Sequence, residues 1–483
     1  MKKWLDKYRF LLLIILLSTV LNLFWINRVP PGLNWDEAAI GWNAKTIWHM
    51  RLDEFGIRLP VSFKSFGDYK APLYIYLTAP VVGIFGTSEL SVRAVSAVAG
   101  IVSVGIMYFL AGPAAAIILA ISPWHILLSR PALEANLALM LVLGGIWLFK
   151  ESTKRPMLLI ASALSFVLSL YSYQSPKIFV PILVLGLMFI YRAKLFKRQN
   201  LNWLIIAAVI AVVSVIPMIK EGLGDKGGRF AMTTIFYKEN INIPVTLVKN
   251  YLVHFSPTWL FWGSEEVSRS EIKQSGLLLL VTAPFLVLGF ISLWKKRKEL
   301  WSKAIFWWLV TAPMPAMIGF EVPHPIRSYQ LLPVLAIITA LGVNEIKKFK
   351  LWLWLLIALN AGFFFYHYFV TYPVNSAREW QYGYKEVAAV AQEMEDQVDK
   401  IVITSYYGQP YIFTYWYQDR DPQAVFWGGM IKYLFREVKY DGDRNMTNTL
   451  LIGAPSEIPQ GAKGIIKQIY FPDGEVAFRV VKT

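Results

Sequence analysis

The chain has 483 residues, of which 56% are apolar and only 17% are charged, against about 25% charged residues in an average soluble protein. This composition excludes a wholly water-soluble chain and favours a protein with several membrane spans. Lysine and arginine number 48 against 32 acidic residues, and such an excess in short loops beside apolar spans sets membrane topology rather than nucleic-acid binding.

The apolar stretches predict eleven membrane-spanning helices, with lengths near the minimum of roughly 17 residues for crossing a bilayer. In chain order they are Phe10–Ile26, Ala94–Leu110, Pro113–Leu128, Leu133–Phe149, Met157–Tyr173, Ile178–Tyr191, Leu201–Ile219, Gly276–Trp294, Ala304–Phe320, Ile326–Val343 and Leu351–Phe369. The basic N-terminus before the first span predicts an uncleaved anchor, because no small-residue cleavage site follows it.

Pro72–Phe85 is apolar over fourteen residues only, so we expect it to lie at the interface rather than to cross. The positive-inside rule agrees, since four basic clusters in short loops share the cytoplasmic side with the N-terminus only if this segment does not cross. These clusters are 150–155, 192–198, 295–303 and 347–350. The first outer loop (28–93), the large outer loop (220–275) and everything after residue 371 then lie on the outer face.

Charges return after about Tyr372, which predicts a boundary between a membrane domain, 1–371, and an extracytoplasmic α/β domain, 372–483. Within the second domain, Ala377–Gln397 has helical periodicity. Short strands are predicted at Lys400–Thr404, Thr449–Gly453, Gly464–Ile469 and Glu475–Val481. The glycine-rich stretch Gly222–Arg229 is interpreted as a gate in the large outer loop.

The first outer loop carries a high density of ionisable groups beside membrane. Asp36 and Glu37 open a predicted helix, Glu37–Met50, whose apolar stripe would lie on the membrane surface. An aspartate in this place is more often a helix cap than a catalytic group. The run Gly67–Tyr74, with Asp68, Lys70 and Tyr74, follows some thirty residues later and is predicted at the same interface. This second group of ionisable residues favours a catalytic role for Asp36.

The runs W-D-E-A, Y-K-A-P-L-Y-I-Y-L and F-G-T-S-E-L-S-V-R-A-V-S-A-V-A-G resemble the first module of GT-C glycosyltransferases, close to the protein O-mannosyltransferases and lipid A aminoarabinose transferases. The resemblance implies an all-α polytopic membrane domain and a polyprenyl-phosphate sugar donor. It implies that Asp36 is the catalytic carboxylate, Glu37 its neighbour and Lys70 the phosphate contact. Ala71 departs from the Lys-Pro-Pro element of the family without changing the charge.

The chemistry agrees with this resemblance. Direct displacement at a glycosyl phosphate needs a carboxylate that takes the proton of the incoming hydroxyl, and cations that hold the departing phosphate. Asp36 serves the first need, and the cations predicted on the same side are Lys70, Arg130, Lys177, His324 and Arg327. Arg130 and Lys177 are equally well explained as residues that reach lipid headgroups from helix ends. Tyr329 accompanies Arg327 in the segment Glu321–Tyr329, which we call the late outer turn.

A divalent metal ion bound by Asp36, Glu37, Asp68 and His324 stays an alternative, although these residues lack the spacing of known metal motifs. The absence of cysteine excludes cysteine-ligated metals and thiol nucleophiles. The sequence contains no phosphate-binding glycine motif, so it does not indicate a nucleotide-sugar donor.

The sequence therefore predicts a glycosyltransferase that moves one sugar from a polyprenyl-phosphate carrier to a lipid, polysaccharide or protein acceptor on the outer face, with inversion and with Asp36 as base. A polyprenol-linked saccharide polymerase or ligase is the alternative, centred on His324 and Arg327. A transporter is disfavoured because the span interiors hold essentially no charged residues. A simple anchor for the terminal domain would need one span, not eleven.

Overall fold

The computed structural model describes residues 2–222, 234–237, 241–263, 268–273, 275–346, 348 and 350–483. Apart from Gly222, the gate predicted at Gly222–Arg229 lies outside these residues. Up to residue 366, the described residues form helices joined by loops, with two short strands, β1 (Phe63–Ser65) and β2 (Asp68–Lys70). Its α-helices are Lys2–Leu23, Trp35–Met50, Pro72–Phe85, Glu89–Ala111, Pro113–Ala120, Pro123–Ser129, Glu134–Ser152, Leu158–Leu170, Pro176–Ile190, Arg192–Leu195, Arg198–Gly222, Ile243–Val253, Ala283–Lys295, Leu300–Thr311, Met314–Met317, Leu331–Glu345 and Lys350–Tyr366.

Within the described ranges, four helical segments are long and apolar enough to cross a membrane by length and composition: Glu89–Ala111, Glu134–Ser152, Arg198–Glu221 and Lys350–Asn375. They coincide with four of the predicted spans, and five more predicted spans correspond to apolar helices of 10–17 residues. Only 6% of the most apolar stretch of Arg198–Glu221 is buried in the protein. The side chains of this helix therefore point outward, which is compatible with contact to lipid.

Two predicted spans are wrong as single helices, and proline is the reason in both. Pro113–Leu128 is divided into Pro113–Ala120 and Pro123–Ser129, because Pro123 has no N–H to continue the first helix and instead starts the second. Ala304–Phe320 is divided in the same way after Thr311, where Pro313 and Pro315 begin the short helix Met314–Met317. The eleven-span count is therefore not reproduced as eleven unbroken helices.

The chain divides into two compact units. The first comprises Met1–Phe24, Asp68–Tyr74 and Ser96–Phe365, and the second comprises Trp25–Gly67, Ile75–Val95 and Tyr366–Thr483. The second unit therefore joins most of the first outer loop to the C-terminal residues. Within it, the Lys45 Nζ donates to Asp419 Oδ1 at 2.6 Å, which ties the helix Trp35–Met50 to the C-terminal part.

The C-terminal part of the second unit is a five-stranded sheet, β3 (Lys400–Ile403), β4 (Tyr433–Phe435), β5 (Thr449–Gly453), β6 (Ile465–Tyr470) and β7 (Val476–Lys482), in the order β4-β3-β5-β7-β6. β3 is parallel to β4 and β5, whereas β7 is antiparallel to β5 and β6. Four of these strands confirm the predicted positions to within one residue, and β4 was not predicted. The helices Tyr372–Asn375, Tyr384–Met394, Pro410–Tyr417, Pro422–Phe426 and Tyr440–Asp443 accompany the sheet.

In the first unit, two glycines let a pair of helices approach to backbone contact. A Cβ at Gly342 would lie 1.9 Å from the carbonyl oxygen of Phe285, and one at Gly289 would lie 1.7 Å from the carbonyl oxygen of Ile338. Small residues at such crossings are the usual means of close helix packing in membranes. The helices Ala283–Lys295 and Leu331–Glu345 are thereby held together through their main chains.

Replacing Gly342 by alanine should separate these helices, because the clash is with main-chain atoms that cannot rotate away. We expect Gly342→Ala to lower the free energy of unfolding by about 2 kcal/mol or more, the scale of overpacking in well-packed interiors. Thermal unfolding of the purified chain measures it. Gly362→Ala is the matched control, since no heavy atom lies within 4 Å of its added Cβ, and an equal loss in both variants would contradict the explanation.

Candidate functional site

In the second unit, Asp36 lies in the first turn of the helix Trp35–Met50. Asn34 is the N-cap, and its Oδ1 accepts hydrogen bonds from the N–H groups of Asp36 at 2.8 Å and Glu37 at 3.0 Å. The Glu37 carboxylate accepts the N–H of Asn34 in return, which completes a capping box. Asp36 is therefore not the cap, and the helix begins two residues earlier than predicted. The half-buried Asp36 carboxylate is left at the positive end of the helix.

Glu37 is fully buried and paired with an arginine that the sequence did not single out as a site residue. Arg93 Nε and Nη2 donate to the two Glu37 oxygens at 2.9 and 3.0 Å. The same guanidinium donates from Nη1 to the carbonyl oxygens of Ile26 and Pro30, at 2.7 and 3.1 Å, and from Nη2 to the carbonyl oxygen of Gly32. The Arg93–Glu37 pair thus fixes both the chain that enters the helix and the helix start that carries Asp36.

In the first unit, the structure brings together the segments that carry Lys70 and Lys177. The N–H of Leu73 donates to the carbonyl oxygen of Tyr171 at 3.0 Å, which joins the chain after Lys70 to the turn before the helix Pro176–Ile190. Lys177 lies in the first turn of that helix, and both lysines are partly exposed. The hydrogen bond therefore places Lys70 and Lys177 on adjoining segments of the first unit.

The late outer turn is built around two histidines. The N–H of His324 donates to His254 Nε2 at 3.2 Å, and His254 Nδ1 donates to the carbonyl oxygen of Asn250 at 2.7 Å, which defines a neutral His254. The N–H of Arg327 donates to His324 Nδ1 at 3.4 Å. Burial lowers the pKa of His254. Burial first, and then the charge of Arg327, lower the pKa of His324 from 6.5 to about 3.

These histidines give the folded chain a sensitivity to acid. Unfolded His324 takes a proton below about pH 6.5 and the folded side chain does not until about pH 3, so stability is complete above 6.5 and is lost as the pH falls through this window. We expect the free energy of unfolding to be about 2 kcal/mol lower at pH 5 than at pH 7.5 through this residue.

Denaturant unfolding at the two pH values measures this loss. His324→Asn should remove much of the pH dependence, whereas His49→Asn removes an exposed histidine and should not. A pH dependence that is unchanged in His324→Asn would contradict the assignment.

Tyr74 and Tyr329 are buried members of one hydrogen-bonded chain in the first unit. Tyr74 Oη accepts the N–H of Ser96 at 3.1 Å, and Asn136 Nδ2 donates to the carbonyl oxygen of Ser96 at 2.7 Å. Tyr329 Oη donates to Asn136 Oδ1 at 3.3 Å and lies 2.9 Å from His125 Nδ1. This series of hydrogen bonds connects the segment after Lys70 to the late outer turn, and it holds both tyrosine side chains in place.

Arg130 is fully buried at the end of the helix Lys2–Leu23. Its Nη1 and Nη2 donate to the carbonyl oxygens of Leu21 and Phe24 at 2.6 and 2.7 Å. A cation at the C-terminal end of a helix satisfies carbonyl groups that have no partner within the helix. The sequence predicted that Arg130 binds the donor phosphate or a lipid headgroup. In the structure its guanidinium group instead contacts main-chain carbonyl groups.

Comparison with solved structures decides the fold. The chain matches apo ArnT from Cupriavidus metallidurans with a TM-score of 0.60 and 10% identity, covering 100% of this chain and 98% of that one. It matches the same protein bound to undecaprenyl phosphate with a TM-score of 0.55 and 9% identity, covering 100% and 98%. The chain has the GT-C fold.

A second GT-C structure, the oligosaccharyltransferase AglB from Archaeoglobus fulgidus in complex with an inhibitory peptide and a dolichol-phosphate, matches with a TM-score of 0.52 and 15% identity, over 93% of this chain and 70% of that one. The sequence matches no protein-family model and no curated protein. The resemblance in the first two hundred residues is thus confirmed at the level of the GT-C fold, and activity is argued from the residues.

Within this GT-C fold, the metal alternative finds no support among the described residues. No group of three or more histidine, aspartate or glutamate side chains in the described ranges is arranged to hold a metal ion. Glu37, one of the four proposed ligands, is engaged by Arg93.

Three supporting residues were missed from the sequence. Arg93 stands at the start of an apolar run, and a lone cation there is the signal that could have identified it. His254 was interpreted as packing or interfacial. It does contact the Trp259 ring edge-on at 5.4 Å, but it also holds the His324 main chain. Asn136 gave no signal, because one amide in an apolar helix is common.

Proposed function

We propose that the chain is a membrane glycosyltransferase that moves a single sugar from a polyprenyl-phosphate donor to an acceptor on the outer face, with inversion. The full-length match to a GT-C structure that holds undecaprenyl phosphate is the observation that carries the donor class. The N-terminus is proposed to be cytoplasmic and the C-terminal residues extracytoplasmic, from the distribution of basic clusters.

Asp36 is proposed as the general base. Its place on a rigid helix start, held by Asn34 and by the Arg93–Glu37 pair, gives a carboxylate of fixed position. The acceptor hydroxyl loses its proton to Asp36 while its oxygen bonds to the anomeric carbon, and the bond from that carbon to the phosphate oxygen breaks. The polyprenyl phosphate leaves as an anion with the bonding electrons, so no acid is needed to protonate it.

Lys70 and Lys177 are proposed to hold the donor phosphate, since the Leu73–Tyr171 hydrogen bond joins their segments. Their ammonium groups would stabilise the negative charge that grows on the phosphate as the sugar departs. Arg327 is retained as a further candidate in the late outer turn. The prediction of His324 as a phosphate-binding cation is not retained, because burial and the charge of Arg327 lower its pKa to about 3 and leave it neutral at pH 7. For Arg130 we propose a supporting role, because its guanidinium lies on the carbonyl groups of Leu21 and Phe24.

Lipid binding and donor choice test the proposal together. Native mass spectrometry of the purified chain should show retention of added undecaprenyl phosphate, and Lys70→Met should weaken it about tenfold, the effect of losing one charge-assisted contact. Lys298→Met, which removes an exposed cation, is the control.

In proteoliposomes, sugar should be transferred from polyprenyl-monophosphate sugars. Transfer from polyprenyl-diphosphate oligosaccharides instead would favour the polymerase or ligase alternative, and transfer from nucleotide sugars alone would overturn the proposal.

A further inference from the structure

A pocket of about 380 Å³ lies within the second unit, between the helix Trp35–Met50 and the helices Pro410–Tyr417 and Pro422–Phe426. Its size is that of a small-molecule site. Neither Asp36 nor Glu37 lines it, so it is not part of the transfer machinery described above. Five of its eleven lining residues are aromatic: Trp42, Phe55, Tyr411, Tyr415 and Phe426.

Two adjacent carboxylates, Asp53 and Glu54, supply the polar part of the wall. Asp53 is fully buried, and its Oδ1 accepts the N–H groups of Phe55 at 2.9 Å and Ile57 at 2.8 Å. Its Oδ2 is also buried and accepts no hydrogen bond from any residue in the described ranges. Because Oδ2 has no surface open even to water, a ligand in the pocket cannot contact it, and Asp53 contributes negative charge rather than a hydrogen-bond acceptor.

Glu54 is fixed in place rather than mobile. Its Oε1 accepts from Asn43 Nδ2 at 3.0 Å, and its Oε2 accepts from the Tyr411 hydroxyl at 3.4 Å. Burial first, and then the charge of Glu54, raise the pKa of Tyr411, so its phenol stays a neutral donor to the carboxylate. The pocket therefore presents an oriented acidic group beside aromatic rings.

Among the residues that the structure describes, no basic side chain lines the pocket. Of the neighbouring cations, Lys45 has its Nζ on Asp419 at 2.6 Å and on the carbonyl oxygen of Arg420 at 2.7 Å. Lys64 is exposed, with its Nζ 5.2 Å from the centre of the Phe55 ring, which shows that a cation is accepted at this edge. The charged side chains that line the pocket are therefore both acidic, and they lie beside aromatic residues.

We propose that this pocket binds the primary ammonium group of a small organic ligand. Aromatic rings attract cations, the half-buried Glu54 carboxylate provides a charge-assisted acceptor for an N–H donor of an ammonium group, and Asp53 adds a second negative charge. A neutral hydroxyl group offers one donor and no charge, so it satisfies the pocket less well. The site is independent of the proposed transfer reaction.

Equilibrium binding to the purified full-length chain tests the site, with cyclohexylammonium and its neutral analogue cyclohexanol as calorimetric probes at pH 7. We expect cyclohexylammonium to bind at least about tenfold more tightly, the ratio that a desolvated cation–π contact with carboxylates supports. Equal affinity for cyclohexanol would overturn the proposal in favour of a neutral ligand such as an unmodified sugar.

Variants locate the binding. Glu54→Gln keeps an oxygen acceptor for Asn43 and should weaken cyclohexylammonium binding about tenfold, whereas Glu379→Gln removes an exposed carboxylate elsewhere in the unit and should not. Met50→Lys places an ammonium group in the pocket wall and should abolish binding even if Glu54→Gln fails to fold. Unchanged binding in either variant would overturn the site.

Two ligand sources share this chemistry. Glucosamine represents an amino sugar, and Nα-acetyl-lysine amide represents a basic peptide side chain, with N-acetylglucosamine as the neutral control. Tighter binding of either amine than of the control supports the site and identifies its source. Failure of both amines and of cyclohexylammonium overturns it, whatever the outcome of the donor experiments, because no transfer step enters this measurement.

Discussion

Asp36→Asn should lower the rate of sugar transfer by a factor of about 10² to 10⁴, the usual contribution of a positioned general base. Asparagine keeps the shape and the place in the first turn of the helix Trp35–Met50 but cannot take the proton of the acceptor hydroxyl. The loss should appear in the turnover number, while undecaprenyl phosphate binding stays near that of the parent chain. Transfer by the purified chain in proteoliposomes measures the first quantity, and native mass spectrometry measures the second.

Glu386→Gln is the matched control for this prediction. Glu386 is also an acidic residue in the first turn of a helix, Tyr384–Met394, but it is exposed. Its replacement should leave transfer unchanged. A polymerase-like enzyme that relies on His324 and Arg327 would keep much of its activity in Asp36→Asn, and that outcome would remove Asp36 from the mechanism.

Arg93→Met should be among the most destabilising single changes in the second unit. It leaves the buried Glu37 carboxylate without its partner and deprives the carbonyl groups of Ile26, Pro30 and Gly32 of their donor. Breaking a buried pair by removing one partner costs about 3–5 kcal/mol. We expect a loss of this size in the free energy of unfolding, measured with denaturant, together with reduced transfer because Asp36 loses its fixed position.

Two further variants separate the pair from simple loss of volume. The double variant Arg93→Met/Glu37→Met should recover part of the loss, because it leaves no unpaired charge inside the protein. Arg378→Met removes a cation that binds Asp473 and Glu475 at the surface, and it should cost about 1 kcal/mol or less. An additive double variant, or an equal cost for Arg93 and Arg378, would show that the buried pair carries no special stability.

Sequence patterns predicted those features that depend on neighbouring residues. The helix that carries Asp36 and the strands β3, β5, β6 and β7 follow from local periodicity and punctuation. The predicted spans Pro113–Leu128 and Ala304–Phe320 were assigned from hydropathy alone. Their division into two helices was missed because this criterion does not register the helix-breaking effect of Pro123 and Pro313. The strand β4 has only three residues, Tyr433–Phe435, which is too short for alternation to be visible.

The supporting contacts of the candidate site were beyond local patterns for a different reason. Arg93 and Glu37 are 56 residues apart in the chain, and His254 and His324 are 70 apart. Nothing in either neighbourhood specifies the partner, since a charged or imidazole side chain is compatible with many environments. The catalytic role of Asp36, by contrast, stays a prediction, which rests on the resemblance of its order and spacing with respect to Lys70 to a known family.

The interleaved composition of the second unit has a consequence for biosynthesis. Residues 25–95 leave the ribosome early. The contact of Lys45 with Asp419 can form only after 374 further residues have been synthesised. At the usual pace of translation this is an interval of roughly 20 to 75 s, during which the helix Trp35–Met50 has no permanent neighbours from the C-terminal part. A premature stop codon near residue 370 would therefore release a chain whose early segment lacks the C-terminal residues that complete its unit.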